Sequence, residues 1–131
     1  MRLILTILSL FFSFSALSSD FEISFEWGNL LICTSGNPNT VKNPEFEIKN
    51  VPEGTKWIEF KLVDLNVPSY NHGGGWVEYN GQNTVETGIF SYKSPCPPDG
   101  KHKYQWTAYA KASKGTFAKT ISKASASKFY P

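Results

Sequence analysis

The sequence is poor in the side chains on which most enzymes and metal sites depend. It contains two histidines, two cysteines and one methionine among 131 residues. Neither a G-x-S-x-G nor an H-E-x-x-H motif is present. A Ser/His/Asp triad can be assembled from Asp64, His102 and one of many serines, but no spacing singles out a nucleophile. We therefore predict no catalytic residues and no cofactor, with a hydrolase left as an open alternative.

Metal binding has only one candidate set of side chains. Two imidazoles and a carboxylate suit zinc or iron, and Asp64, His72 and His102 supply those groups. Asp64 and His72 are close in sequence, whereas His102 belongs to a different predicted strand. We predict no metal site, and a metal-dependent enzyme stays an alternative.

Arginine is absent after Arg2, so every later cationic side chain except histidine is a lysine. Sequence-specific contacts to nucleic-acid bases usually involve arginine, and we predict no nucleic-acid partner. The acidic residues end at Asp99, and lysines alone follow: Lys101, Lys103, Lys111, Lys114, Lys119, Lys123 and Lys128. This asymmetry is typical either of two faces that attract each other within one domain or of a basic surface that meets an anion.

A hydrophobic run of membrane-spanning length is also missing. The N-terminal run from Leu3 to Ala16 is shorter than the roughly 20 residues that span a bilayer. It follows the positive Met1-Arg2 start, and Ala16-Leu17-Ser18 fits a signal-peptidase site. We predict a signal peptide over residues 1–18, a single secreted or periplasmic domain over 19–131, and no transmembrane segment in the mature chain. A membrane-anchoring helix is the alternative.

The two cysteines, Cys33 and Cys96, are expected to form a disulfide in an exported chain. The bond would close a loop across 63 positions and contribute about 4 kcal/mol by the loop-entropy model. Metal binding or thiol catalysis is less favoured, because no C-x-x-C or Cys/His spacing accompanies them.

Apolar residues alternate with period two, and helical periodicity is absent. In the clearest segment, 57–64, the side chains of Ile58, Phe60, Leu62 and Asp64 share one face. Short strands of this kind recur about every ten residues between turns rich in glycine and proline. We predict an all-β sandwich or barrel with little or no helix.

Two strands and two turns place polar groups where a ligand could meet them. Asp64 ends one strand, and His102 and Tyr104 share a face near the start of another. Pro97-Pro98 stiffens the turn before His102, and the glycines at 73–75 allow close backbone approach. These groups predict a rim pocket for a small anion, with Asp64 orienting the imidazole. The alternative is that all of them serve only the fold.

The same segments carry a family resemblance. VPEGTK (51–56), Asn43-Pro44 and above all PCPPDGKHKY (95–104) resemble the phosphatidylethanolamine-binding protein family. The bacterial Raf kinase inhibitor-like branch is the most similar, and the chain looks like a short variant of it. The resemblance covers about residues 31–112. It implies a Greek-key β-sandwich with a small anion-accepting pocket.

The chain departs from the family pattern at two positions of the implied pocket. Asp64-Leu65-Asn66 stands where the family has Asp-Pro-Asp, and Gly75 stands where it has a histidine. His72 is our candidate to replace that histidine. The resulting ligand-binding set comprises Asp64, Pro68, His72, Gly75, Trp76, Pro97, Pro98, His102 and Tyr104.

Together these features predict a binding protein whose ligand is a phosphate, a phospholipid headgroup or a similar anion. The alternative is a protein-interaction module with a vestigial pocket, such as an inhibitor of an extracytoplasmic protease or of another protein partner.

Overall fold

A computed structural model describes residues 19–131, so the predicted signal peptide over 1–18 lies outside the described residues. This part of the chain contains nine β-strands and no helix, which confirms the predicted all-β class. The strands are β1 (Glu22–Phe25), β2 (Thr40–Lys42), β3 (Phe46–Lys49), β4 (Trp57–Asp64), β5 (Gly74–Glu78), β6 (Thr84–Val85), β7 (Ser91–Lys93), β8 (His102–Lys111) and β9 (Thr120–Tyr130).

The strands form three antiparallel groups. The largest is a four-stranded sheet in the order β5-β4-β8-β9, and the second is a three-stranded sheet in the order β1-β3-β6. Strands β2 and β7 pair with each other. Because β4 and β8 are central and longest after β9, they set the frame on which the polar cluster described below is built.

The core lies between the two larger sheets. Along β4, Ile58, Phe60 and Leu62 are buried, as their alternation predicts. The ring of Phe46 on β3 lies 4.4 Å from that of Phe60 and 5.2 Å from that of Trp106 on β8. Each such buried side chain contributes roughly 1.5–3 kcal/mol, so these contacts hold the two sheets together.

Two strands form where the sequence has little apolar alternation. The segment 34–44 contains β2, which is held by its short backbone pairing with β7. Strand β9 runs continuously over Thr120–Tyr130. The sequence SKASAS in its middle has little apolar pattern, and backbone pairing along β8 keeps it extended.

A disulfide fixes the chain beside the start of β8. Cys33 and Cys96 are bonded, which confirms the predicted pairing. The Tyr130 hydroxyl accepts a hydrogen bond from the backbone N–H of Cys33 (2.8 Å) and donates one to the carbonyl of Leu31 (3.1 Å). Tyr130 also pairs with His102 across the sheet. The end of β9, the disulfide and the loop before β8 therefore form one anchored corner.

Candidate functional site

The register of β4 and β8 brings Asp64 to His102. Asp64 lies opposite Tyr104 in the antiparallel pair, and both side chains are buried on the inner face. His102 lies two residues before Tyr104 on that same face, which makes it the diagonal neighbour of Asp64. Nδ1 of His102 donates a hydrogen bond of 2.6 Å to Oδ2 of Asp64.

The second oxygen of Asp64 holds the turn that follows β4. Oδ1 accepts hydrogen bonds from the backbone N–H groups of Asn66 (2.9 Å) and Val67 (3.2 Å). Burial alone would raise the pKa of Asp64, but the bonds from His102 and the two amides outweigh it and hold the pKa below its usual value. Asp64 is therefore an ionised carboxylate with both oxygens engaged.

Asn66 takes a structural role at the position where the family pattern has a second aspartate. Its Oδ1 accepts a hydrogen bond of 2.9 Å from the backbone N–H of Lys103. The adjacent Leu65 N–H donates to the Lys103 carbonyl at 2.8 Å. Asn66 thus ties the turn after β4 to the start of β8 and adds no charge to the cluster.

His102 is held between two carboxylates. Its Nε2 donates a hydrogen bond of 2.7 Å to Oδ1 of Asp99, whose side chain is 73% exposed. The bond to Asp64 raises the pKa of His102 most strongly; burial opposes that rise, and Asp99 adds to it. Because both ring nitrogens face carboxylate oxygens, both carry protons and the ring is an imidazolium.

His72 is uncharged, unlike His102. Its ring is buried, and Nδ1 donates a hydrogen bond of 2.8 Å to the carbonyl of Lys93. Burial lowers the pKa of His72, against smaller upward effects of that carbonyl and of Asp64. The neutral ring therefore carries its proton on Nδ1 and leaves Nε2 as an acceptor.

Tyr104 joins the two histidines into one cluster. Its ring centroid lies 5.5 Å from that of His72 and 6.3 Å from that of His102. Burial raises the pKa of Tyr104, and the negative charge of Asp64 raises it further, so the phenol stays protonated. The structure thus brings together four of the residues predicted from sequence: Asp64, His72, His102 and Tyr104.

The two predicted prolines belong to the support of this cluster. Pro97 is fully buried, whereas Pro98 is exposed and packs over Gly36, where an added Cβ would lie 3.3 Å from Pro98 Cβ. The Cys96 carbonyl accepts a hydrogen bond of 3.1 Å from the Gly36 N–H. Pro97 and Pro98 stiffen the segment that leads to Asp99 and His102.

Pro68, Gly75 and Trp76 do not join the cluster. They line a separate groove of about 480 Å³ beside β4 and β5. The space next to Gly75 is filled by the ring of Phe90. Trp76 pairs with Glu59 on the outer face of the sheet, and the Nζ of Lys111 lies 5.0 Å from its ring.

Sequence reasoning missed the part that Asp99 plays. The available signal was the spacing of Asp99, Gly100 and His102, in which a glycine turn lets a carboxylate reach a ring three residues later. Gly100 has φ +108°, a conformation that other residues rarely adopt.

A larger groove lies on another part of the molecule. It has a volume of about 1040 Å³ and is lined by β1, β2 and the chain after them, including Leu31. Leu31 and Ile32 are 86% and 81% exposed. None of the four cluster residues lines this groove.

Two further properties of the described residues concern metal binding and membrane spanning. Within 19–131, no three His, Cys, Asp or Glu side chains are placed to share a metal ion. Over the same residues, no helix has the length and apolar character needed to cross a bilayer.

Comparison with known proteins gives consistent matches. The family model described as phosphatidylethanolamine-binding protein matches residues 21–130. A UPF0098 protein of Chlamydia muridarum is 36% identical over 61 residues, which are 47% of this chain and 41% of that protein. The matched region thus spans less than half the length of this relative.

Two solved structures share the fold. One is described as a phosphatidylethanolamine-binding protein homologue from Chlamydia trachomatis (TM-score 0.59, 17% identity, covering 85% of this chain and 97% of that one). The other is YbcL from E. coli, described as a new member of the mammalian family (TM-score 0.59, 15% identity, 86% and 98%). These similarities confirm the predicted sandwich fold.

Proposed function

Since this chain belongs to the phosphatidylethanolamine-binding protein family, and is in general terms a ligand-binding protein, we propose that it binds a small anionic group at Nε2 of His102. The ligand class is inorganic phosphate or a phosphate group such as that of a phospholipid headgroup. The observation that carries the proposal is the short bond between His102 and Asp64.

Asp64 makes His102 suitable for this task in two ways. Its bond to Nδ1 fixes the ring orientation and keeps the ring positively charged. Nε2 then remains as a charged donor directed to the molecular surface, where its partner is the exposed carboxylate of Asp99. Charged donors of this kind form the stronger hydrogen bonds to oxyanions.

The surroundings of His102 favour an anion. The exposed residues Lys101 and Lys103 flank it in sequence, and no acidic residue follows Asp99 in the chain. These two lysines thus add a long-range attraction for anions to the local donor. His72 and Tyr104 support the cluster from the buried side.

A histidine NMR titration tests the binding. We expect inorganic phosphate and phosphoethanolamine to shift the His102 ring signals saturably, with binding lost as the pH rises through the pKa of His102. The variant His102→Gln should lose binding, whereas Lys119→Gln, which removes one exposed charge elsewhere, should keep it. Absence of any saturable shift below that pKa would show that the site does not bind these anions.

We further propose binding without catalysis. The support is that both ring nitrogens of His102 are already engaged by carboxylates, and that none of the four cluster residues is a serine, threonine or cysteine. Phosphoethanolamine incubated with the protein should remain intact in ³¹P NMR spectra. Release of free phosphate above the rate seen with His102→Gln would contradict this.

A secreted or periplasmic location is also proposed. The disulfide supports it, because such bonds persist in oxidising compartments. Mass spectrometry of the mature protein, recovered from the medium or from a cell-envelope fraction, should give a first residue at position 19. Recovery of the full-length chain from the cytosol with reduced cysteines would contradict this location.

A further inference from the structure

The two carboxylates bound to His102 differ sharply in their environment. The Asp64 side chain is 6% exposed and lies 2.6 Å from Nδ1, while the Asp99 side chain is 73% exposed and lies 2.7 Å from Nε2. An ion pair with one exposed partner is held less firmly than a fully buried pair, because water solvates the exposed carboxylate when the two charges separate. Asp64 is therefore a fixed partner of the ring, and Asp99 is a replaceable one.

The chain around Asp99 is built to fold this one carboxylate back onto the ring. Cys96 is disulfide-bonded and Pro97 is fully buried, so the segment is fixed on its N-terminal side. His102 begins β8 and fixes the other side. Gly100, with φ +108°, reverses the chain between them. Rotation of the Asp99 side chain alone can break the contact, and no strand has to move.

We propose that Asp99 is an internal competitor that occupies the anion position at Nε2 of His102 and thereby sets the affinity threshold for external anions. This inference rests on the proposed anion binding. A bound oxyanion would take the position of Asp99 Oδ1 and accept the same hydrogen bond. Asp99 would then turn into solvent, with its carboxylate released.

Competition of this kind has a defined effect on affinity. The apparent dissociation constant equals the intrinsic one divided by the fraction of molecules in which the position is open. Competition raises the dissociation constant by the same factor for every anion. Anions that bind weakly to begin with, such as the monoanion acetate, therefore cease to bind measurably first. Ligands that make further contacts, as a phosphate group does with several oxygens, remain above the threshold.

Three variants separate this competition from a simple change of charge. Asp99→Asn removes the competing charge. Gly100→Ala keeps every charge but disfavours the turn conformation; an added Cβ there meets no atom within 4 Å, so no clash is introduced. Glu53→Gln is the matched control, because Glu53 is exposed in the turn before β4, at the end of the sheet opposite to Asp64.

The experiment measures the His102 ring signals during titration with inorganic phosphate and, separately, with acetate. Asp99→Asn should lower the dissociation constant for phosphate roughly tenfold and make acetate binding saturable. Gly100→Ala should act in the same direction, and Glu53→Gln should match the wild type. In the wild type, the ¹³C carboxyl signal of Asp99 should shift in parallel with His102 as phosphate binds.

The possible failures are distinguishable. Equal phosphate affinity in the wild type, Asp99→Asn and Gly100→Ala would overturn the competitor role and leave anion binding intact. So would an Asp99 carboxyl signal that does not move while His102 saturates. If phosphate shifts His102 in neither the wild type nor Asp99→Asn, the proposed function itself fails. Circular dichroism of each variant checks that the β-fold is kept.

Discussion

Asp64 and His102 lie on the same inner face of neighbouring strands, and Oδ2 of Asp64 accepts a hydrogen bond of 2.6 Å from Nδ1 of His102. The two side chains are 6% and 9% exposed. The pKa of Asp64 is lowered and that of His102 is raised, so the folded protein favours the charged form of both.

These shifts predict how stability depends on pH. Asp64 stabilises the fold above its unfolded pKa of about 3.9 and loses this contribution as the pH falls through its lower folded pKa. His102 contributes fully below about 6.5 and loses its contribution as the pH rises through its higher folded pKa. The pair therefore stabilises the fold fully between about pH 3.9 and 6.5.

The contribution of His72 to stability changes with pH in the opposite direction to that of His102. Its lowered pKa stabilises the fold above about 6.5 and loses its contribution as the pH falls through the folded pKa. We expect the free energy of unfolding to fall less for His72→Gln than for the wild type as the pH is lowered from about 6.5 to 4. Urea unfolding across this range measures the difference, and identical pH profiles would contradict the assignment of a neutral His72.

Replacement of the two carboxylates should separate their structural contributions. Asp64→Asn leaves a buried imidazole without its charge partner and a turn with weaker acceptors, so we expect a loss of about 3 kcal/mol at pH 6. Asp99→Asn removes an exposed partner and should cost under about 1 kcal/mol. Urea unfolding at that pH compares them. Equal losses would mean that Asp99 also holds the fold.

The disulfide should contribute through the loop that it closes. We expect the double variant Cys33→Ser, Cys96→Ser to lose about 4 kcal/mol of unfolding free energy. Unfolding of the wild type in a strong reductant is the matched control, because it breaks the bond without changing side-chain type. A loss below about 1 kcal/mol in both would show that the hydrogen bonds of Tyr130 alone hold this corner.

Gly75 should be intolerant of a side chain for a reason of packing. An added Cβ would overlap the ring of Phe90, and we expect Gly75→Ala to cost about 1–3 kcal/mol. If Phe90 is the cause, the double variant Gly75→Ala, Phe90→Leu should lose less than the sum of the single variants. Strict additivity in the thermodynamic cycle would place the strain elsewhere.

Part of the site follows from the sequence. Period-two alternation puts Asp64 on the face of Ile58, Phe60 and Leu62, and it puts Tyr104 on the face of His102. The proline and cysteine motif before His102 adds the family resemblance, which the comparisons confirm over residues 21–130.

Other parts depend on contacts that no local pattern encodes. The family resemblance places Gly75 and Trp76 in the pocket. In the structure Phe90, which is distant in sequence, fills the space beside Gly75. His72 reaches Tyr104 only because its loop pairs with Lys93 on β7.

The sequence by itself determined the all-β class, the disulfide and the two residue rows that meet at Asp64 and His102, because alternation and paired cysteines are local signals. The tertiary structure decided which row faces which neighbour, since strand register is a property of two segments paired across the sheet. It also decided the charge of each histidine. His102 is positive because two carboxylates reach it, and His72 is neutral because burial dominates its surroundings.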